Sequence, residues 1–166
     1  KNFSSTISPW IVTLEALAPY RREVQPRPDW DPAPLSYLTS VEHEANGGLD
    51  IRLDVAVATE AMRKNGVAPQ TIGAPDFKGM YWTIFQMFTH HTSNGCDFNP
   101  GDFYGTGTIS GTGPDQCGSI LEVCKGGKAV IDFPGGEART FVEDGDEVIM
   151  RAWCEAEGKP RIGFGD

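Results

Sequence analysis

The sequence predicts a mainly β fold with one or two helices, of the α+β class, and three observations carry that prediction. The 20 glycine and 12 proline residues fall between short β-rich runs, at the intervals expected of antiparallel strands joined by turns. The run Leu49-Asp50-Ile51-Arg52-Leu53-Asp54-Val55-Ala56-Val57 alternates apolar and polar residues, so one face can be buried while the other stays wet or pairs. One segment has the helical period instead: Tyr81, Ile84, Phe85 and Phe88 recur at three and four residues, with Met80 and Met87 alongside. At 166 residues and 39% hydrophobic content, the chain has material for one core in one domain.

In chain order, Thr13 is placed to cap a short helix through Leu14 to Tyr20. Arg21 to Pro34 holds four prolines, each with a fixed φ and no amide donor, which predicts an irregular surface segment. The alternating strand over Leu49 to Val57 follows. The turn at Ala74-Pro75-Asp76 then leads into a helix over roughly residues 76 to 92, with Asp76 as N-cap and Asn94-Gly95 as the stop. Ser119 to Val123 and Lys128 to Phe133 read as strands around Lys125-Gly126-Gly127, whose glycines can take the positive φ of a tight hairpin. Phe133-Pro134-Gly135-Gly136 turns into a strand over Ala138 to Val142. Glu143-Asp144-Gly145-Asp146 feeds another over Glu147 to Glu155, where Val148, Met150 and Ala152 suit a half-buried face. These elements form a meander, without internal repeats or charge blocks.

The 14 basic residues stand against 23 acidic ones, and the net charge of −9 repels phosphate backbones and anionic headgroups. Nucleic acid and membrane surfaces are therefore not expected as partners. No apolar run approaches the ~20 residues that span a bilayer, and Lys1-Asn2-Phe3-Ser4-Ser5 has no signal-peptide apolar region, so the expectation is a cytoplasmic protein. Cys96, Cys117, Cys124 and Cys154 are widely spaced and never form Cys-x-x-Cys, which reads as reduced thiols, buried or on the surface. His43, His90 and His91 complete no zinc spacing with any cysteine pair.

Three groups of residues could carry chemistry. On a strand over Ser119 to Lys125, Glu122 shares its face with Ile120 and Cys124, while Leu121 and Val123 take the other. Either the Leu/Val face is the core and Glu122 is solvated, or both faces are covered and its carboxylate sits in surroundings of low polarity. The first reading respects the rarity of buried unpaired charge. The second makes Glu122 a general base with a raised pKa, or the group that orients one. Next, Asn99-Pro100-Gly101-Asp102 runs into Gly105-Thr106-Gly107-Thr108-Ile109-Ser110-Gly111, where glycines permit close backbone approach and hydroxyls can donate to a carboxylate or carbonyl. Its spacing fits neither a Walker loop nor a dinucleotide fingerprint. Finally, His90-His91 near a helix end reads either as an acid–base pair or as rings that cap carbonyls and pack.

Taken together and in order, several motifs resemble the fumarylacetoacetase family. They are Ser8-Pro9-Trp10, Tyr81-Trp82-Thr83, Thr89-His90-His91 with Asn94-Gly95-Cys96, Pro100-Gly101-Asp102, Gly107-Thr108-Ile109-Ser110-Gly111, Leu121-Glu122, Asp144-Gly145-Asp146-Glu147-Val148 and Arg161-Ile162-Gly163-Phe164-Gly165. The collinear set covers almost the whole chain and is far more specific than any one motif. Acylpyruvate hydrolases and related decarboxylases look similar around Pro-Gly-Asp and Gly-Thr, but Ile109-Ser110-Gly111 and the paired histidines point to fumarylacetoacetase proper.

The resemblance implies a mixed β-sandwich roll, with residues 1 to 166 forming the C-terminal portion of a catalytic domain whose first part, like a separate N-terminal domain, lies outside this sequence. It implies hydrolysis of the carbon–carbon bond of 4-fumarylacetoacetate to fumarate and acetoacetate, the last step of tyrosine and phenylalanine degradation, by a homodimer using Mg²⁺ or Ca²⁺. Lys1 matches the active-site lysine of the motif Lys-x-Phe-x-Thr, beside the metal, Thr108 a substrate-binding threonine, and Glu122 the glutamate that orients the catalytic histidine. Glu122 is thereby expected on the inner face of its strand, buried and hydrogen-bonded. Ser5 stands where the family has a threonine beside the metal, which keeps a hydroxyl there. The catalytic histidine, the metal carboxylates, and the arginine and glutamine of the oxyanion site precede this lysine in the family. The chain alone is therefore expected to lack hydrolase activity and a tight metal site. Asp50-x-x-x-Asp54 aligns with a structural strand and is not a metal pair.

Overall fold

A computed structural model describes residues 4 to 165. In chain order these form β1 (Arg21–Arg22), α1 (Val41–Asn46), β2 (Gly48–Leu49), β3 (Arg52–Ala58), α2 (Glu60–Lys64), β4 (Gln70–Gly73), α3 (Ile84–Thr92), α4 (Ile120–Val123), β5 (Ile131–Asp132), β6 (Ala138–Arg139), β7 (Glu147–Cys154) and β8 (Ile162–Gly163). The α+β class and the antiparallel pairing hold. The described residues carry more helices than the one or two expected, all of them short.

The centre is a four-stranded sheet in the order β4-β3-β7-β8, in which β3 and β7 pair antiparallel from Arg52↔Trp153 to Ala58↔Glu147. β1 with β2 and β5 with β6 form two further two-stranded sheets. The alternating run expected as one strand is split. Asp50 donates its amide to the Tyr20 carbonyl at 2.9 Å and the Ile51 carbonyl accepts from Phe77 at 3.2 Å, so this backbone leaves one ladder before entering the next. Leu49 and Ile51 still reach a common core with Leu17, Tyr20 and Cys154. In β7 the expected half-buried face is open at one end: Val148 is 46% and Met150 67% exposed, and the same face closes at Ala152 and Cys154.

The helix expected over 76 to 92 begins later. Asp76 caps only a single 3-10 turn over Phe77–Gly79, accepting from the Lys78 amide at 3.1 Å. Met80 then turns extended, and α3 starts after Thr83. The Thr83 side chain and that of Gln86 each accept the other residue's amide proton at 3.1 Å in a reciprocal capping box. The extended interruption serves packing: Tyr81 and Trp82 face the guanidinium of Arg27 at 4.5 and 4.2 Å, and Arg27 pairs with Asp31 at 3.1 Å. That clamp fixes the proline-rich segment, which beyond β1 has no regular structure, as expected. Thr13 accepts from the Ala16 amide at 3.3 Å, but only a 3-10 turn over Ala18–Tyr20 follows.

The C-terminal half is tied by charge. The β5–β6 hairpin turns at Phe133-Pro134-Gly135-Gly136 as expected, with the Phe133 amide donating to the Glu137 carbonyl at 2.8 Å. From β6, Arg139 reaches Asp146 with Nε on Oδ2 at 3.1 Å and Nη2 on Oδ1 at 3.3 Å. The Asp146 side chain is 1% exposed and that of Arg139 11%. Asp146 also accepts the Glu143 amide at 2.9 Å, closing the turn before β7. Burial is the largest single influence and pushes the Asp146 carboxyl up, but the Arg139 hydrogen bonds, the Glu143 amide and the charges of Arg139 and Arg63 together outweigh it and hold the pKa below the ordinary aspartate value.

Candidate active site around Glu122

Glu122 is on a helix and not on a strand. Ile120, Val123 and Cys124 stand at i, i+3 and i+4, and all three pack on a second core of Val57, Met62, Ile131 and Phe133. Leu121 and Glu122 are consequently turned outward, and Glu122 is exposed, contrary to the expected burial on an inner strand face. The physical reason lies in the segment's own caps. Ser119 is the N-cap and accepts the Glu122 amide, while Lys125, Gly126 and Gly127 take positive φ of 50°, 68° and 85° and end the turn, with the Gly126 amide on the Leu121 carbonyl at 2.8 Å. The glycines expected to make a hairpin terminate a helix instead.

The expected hydrogen bonding of Glu122 is present. Its Oε2 accepts from the hydroxyls of Ser110 and Ser119, each at 2.9 Å, and from the Gly118 amide at 3.2 Å. The Ser110 and Ser119 hydroxyls, in that order, draw the carboxyl pKa below the ordinary glutamate value; burial opposes them, and the Gly118 and Ser119 amides add smaller lowering contributions. The shift runs opposite to the raised pKa of a general base and favours the anionic form, which suits a group that orients a base.

Ser110 comes from the glycine- and hydroxyl-rich strap, which has no regular structure from residue 102 to 111. Its lead-in is anchored on α3: Phe98 stacks on Phe88 with centroids 4.7 Å apart and meets His91 at 5.0 Å, and Tyr104 lies 5.7 Å from Phe98. Its exit is clipped by Gln116, whose carbonyl accepts the Gly111 amide at 2.9 Å, and by the Asp115 carbonyl, which accepts from Ala74 at 2.7 Å. A side chain at Gly118 would collide with the Ile109 carbonyl and meet the Thr108 methyl at 2.9 Å. The strap thus lies directly on the segment that precedes α4, and Thr108, Ser110, Gly118, Ser119 and Glu122 form one cluster. Thr108 is exposed.

The other expected residues are elsewhere. Lys1 lies outside the described residues. Ser5 is exposed, in an N-terminal segment without regular structure, and no described contact brings it to Glu122. His90 packs: its Nδ1 is 2.9 Å from the Tyr37 hydroxyl and its ring stacks on Tyr37. Asp54 pairs with Arg151 at 3.7 Å and Asp50 with Arg22 at 4.0 Å, in keeping with structural roles. All four cysteines are free thiols, Cys124 and Cys154 buried. Among the described residues no three His, Cys, Asp or Glu side chains converge on a point that could hold a metal ion, so these residues do not by themselves fit Mg²⁺ or Ca²⁺. No helix among them is long and apolar enough to cross a membrane. A cavity of about 440 Å³, lined by Arg27, Leu38, Trp82 and Met87 among others, includes none of the Glu122 cluster.

Ser110 belongs to the hydroxyl strap expected to donate, whereas Gly118 and Ser119 carry no functional expectation from the sequence, although Ser119-x-x-Glu122 ahead of apolar residues is a helix-start signature that points to Ser119. Fold and cluster together define an α+β unit that presents an anchored carboxylate beside an exposed, hydroxyl-bearing strap. A family model described as fumarylacetoacetate (FAA) hydrolase C-terminal matches residues 1–165, and the chain belongs to that family. It is 46% identical over 165 residues to the fumarylacetoacetase of Rattus norvegicus and 44% identical to that of Homo sapiens, covering 99% of this chain and 37% of each relative. The fumarylacetoacetase of Dictyostelium discoideum is 44% identical over 168 residues, 100% of this chain and 37% of its own length. The chain therefore spans somewhat over a third of the curated relatives it matches.

Proposed function

We propose that this chain is the C-terminal part of the catalytic domain of an enzyme that hydrolyses 4-fumarylacetoacetate to fumarate and acetoacetate, closing the degradation of tyrosine and phenylalanine. The observation that carries the reading is the Glu122 cluster: a carboxylate fixed through one oxygen beside Thr108, in a chain 46% identical to a fumarylacetoacetase. Splitting a β-diketone with water needs a hydroxide equivalent at one carbonyl and stabilisation of the enolate that departs. Glu122 serves the first need by orienting a histidine contributed by another part of the enzyme and stabilising it as imidazolium. Thr108 donates its hydroxyl to the substrate, and the Lys1 ammonium serves the second need as negative charge develops.

A divalent cation, Mg²⁺ or Ca²⁺, would be held by carboxylates beyond the described residues, with Ser5 and Lys1 at its margin. The enzyme is proposed to be a cytoplasmic homodimer that binds neither nucleic acid nor membrane. Within the wider superfamily, acylpyruvate hydrolysis and oxaloacetate decarboxylation are the competing reactions. Steady-state rates of the complete enzyme on 4-fumarylacetoacetate, an acylpyruvate and oxaloacetate separate them. The expected result is a kcat/KM for 4-fumarylacetoacetate at least ~100-fold above the others, since a site built to hydrogen-bond a substrate strongly rejects analogues that leave those groups unpaired. A preference for oxaloacetate, or no turnover of any of the three, contradicts the proposal.

A further inference from the structure

We infer that Ser110 and Ser119 are positioning residues that lock the rotamer of Glu122 so that its Oε1 is presented to the catalytic base; this rests on the reading of Glu122 proposed above. A serine hydroxyl has one proton to give. Both serines spend it on the same oxygen, Oε2, at 2.9 Å, and the Gly118 amide adds a third donor at 3.2 Å. Among the described residues nothing donates to Oε1. A carboxylate tied through one oxygen by three donors has lost its side-chain freedom, and its second oxygen becomes a fixed acceptor of the kind that orients an imidazole N–H.

The two serines hold Glu122 from different directions. Ser119 lies three residues away and is also the cap of α4, so its bond alone would be explained by helix formation. Ser110 lies twelve residues away on the strap and takes no part in that cap. Its own oxygen shares the single Gly118 amide proton with Glu122 Oε2, at 3.3 and 3.2 Å, which leaves the Ser110 hydroxyl proton free for the carboxylate. The same strap carries Thr108, two residues before it. Substrate binding and base orientation are thereby joined by one short stretch of backbone. The lowered pKa of Glu122, with Ser110 as its largest cause, agrees with this arrangement.

The test is steady-state kinetics of the complete enzyme carrying Ser110→Ala, Ser110→Cys, Ser119→Thr, Glu122→Gln and the Ser110→Ala/Glu122→Gln double substitution. Ser110→Ala is expected to lower kcat about tenfold with KM within about twofold, the scale on which groups supporting a catalytic ligand act. Ser110→Cys, which keeps the volume but donates weakly, should behave alike. Ser119→Thr keeps both hydroxyl and cap, so its kcat should fall clearly less than that of Ser110→Ala, and an equal or larger loss would overturn the role of the donated proton. In the Glu122→Gln background Ser110→Ala should cost nothing further, because its effect passes through that carboxylate. A large loss in Glu122→Gln with kcat unchanged in Ser110→Ala overturns this inference alone, as does a Ser110→Ala loss that persists undiminished in the Glu122→Gln background. An unchanged kcat in Glu122→Gln removes the reading of Glu122 itself, and the inference falls with it.

Discussion

Glu122→Gln in the complete enzyme is expected to lower kcat ~100-fold or more while leaving KM nearly unchanged, by analogy with other carboxylates that orient a catalytic imidazole. The substitution keeps shape and removes charge. Its carbonyl oxygen can still accept from Ser110 and Ser119, and Glu122 is exposed and makes no ion pair among the described residues, so the melting temperature should stay close to the parent's. On the proposed role of Glu122, the interaction lost would be the one that strengthens as the histidine becomes imidazolium, and a loss confined to the transition state lowers kcat and kcat/KM together. Glu122→Ala should cost more, since it also releases the Ser110 and Ser119 hydroxyls and frees the histidine to turn. A kcat for Glu122→Gln within about twofold of the parent would show that this carboxylate is only a helix cap.

The second large effect falls on stability. Asp146→Ala should destabilise the fold by about 1–3 kcal/mol, because it leaves the enclosed Arg139 guanidinium without its bidentate partner and removes the acceptor of the Glu143 amide. Arg139 retains Glu137 at 3.1 Å and Glu143 at 3.4 Å, which limits the loss. The same pair sets an acid limit. The folded pKa of Asp146 lies below its unfolded value, so its contribution is complete above the ordinary aspartate pKa and is lost as pH falls through the folded one. Denaturant midpoints across pH 2 to 7 check both points: the parent should lose stability toward the acid end, and Asp146→Ala should lose less, having less to lose. Equal midpoints for parent and variant at pH 7 would contradict the assignment.

Much of the sheet was legible because the relevant physics is local. Alternation located β3 and β7, and the glycines at 135, 136 and 145 marked turns that do require positive φ. What failed was the reading of short segments, where one turn of helix and a few residues of strand share the same apolar pattern. Ile120, Glu122 and Cys124 look like one strand face, whereas Ile120, Val123 and Cys124 are in fact one helix face, and only the flanking Ser119 and glycines distinguish the two. Asp76 misleads for a similar reason: it does cap a turn, but the stronger Thr83-x-x-Gln86 signature, which starts α3, stands seven residues later. The hydroxyls of the strap were recognised as donors. That Ser110 reaches Glu122 across twelve residues depends on Gly118 admitting the Ile109 carbonyl, a tertiary contact with no signature in spacing or composition.

Carbon–carbon hydrolysis is tested most directly by the fate of the attacking oxygen. When the complete enzyme turns over 4-fumarylacetoacetate in water enriched in ¹⁸O, attack on the ketone carbonyl next to the fumaroyl double bond requires the new carboxylate of fumarate to gain one labelled oxygen, with acetoacetate formed in equal amount. Mass spectrometry of the two products reads this in a single experiment. Equimolar products with the label in the fumarate carboxylate is the result predicted here; release of carbon dioxide in place of fumarate, or fumarate formed without the label, would contradict it.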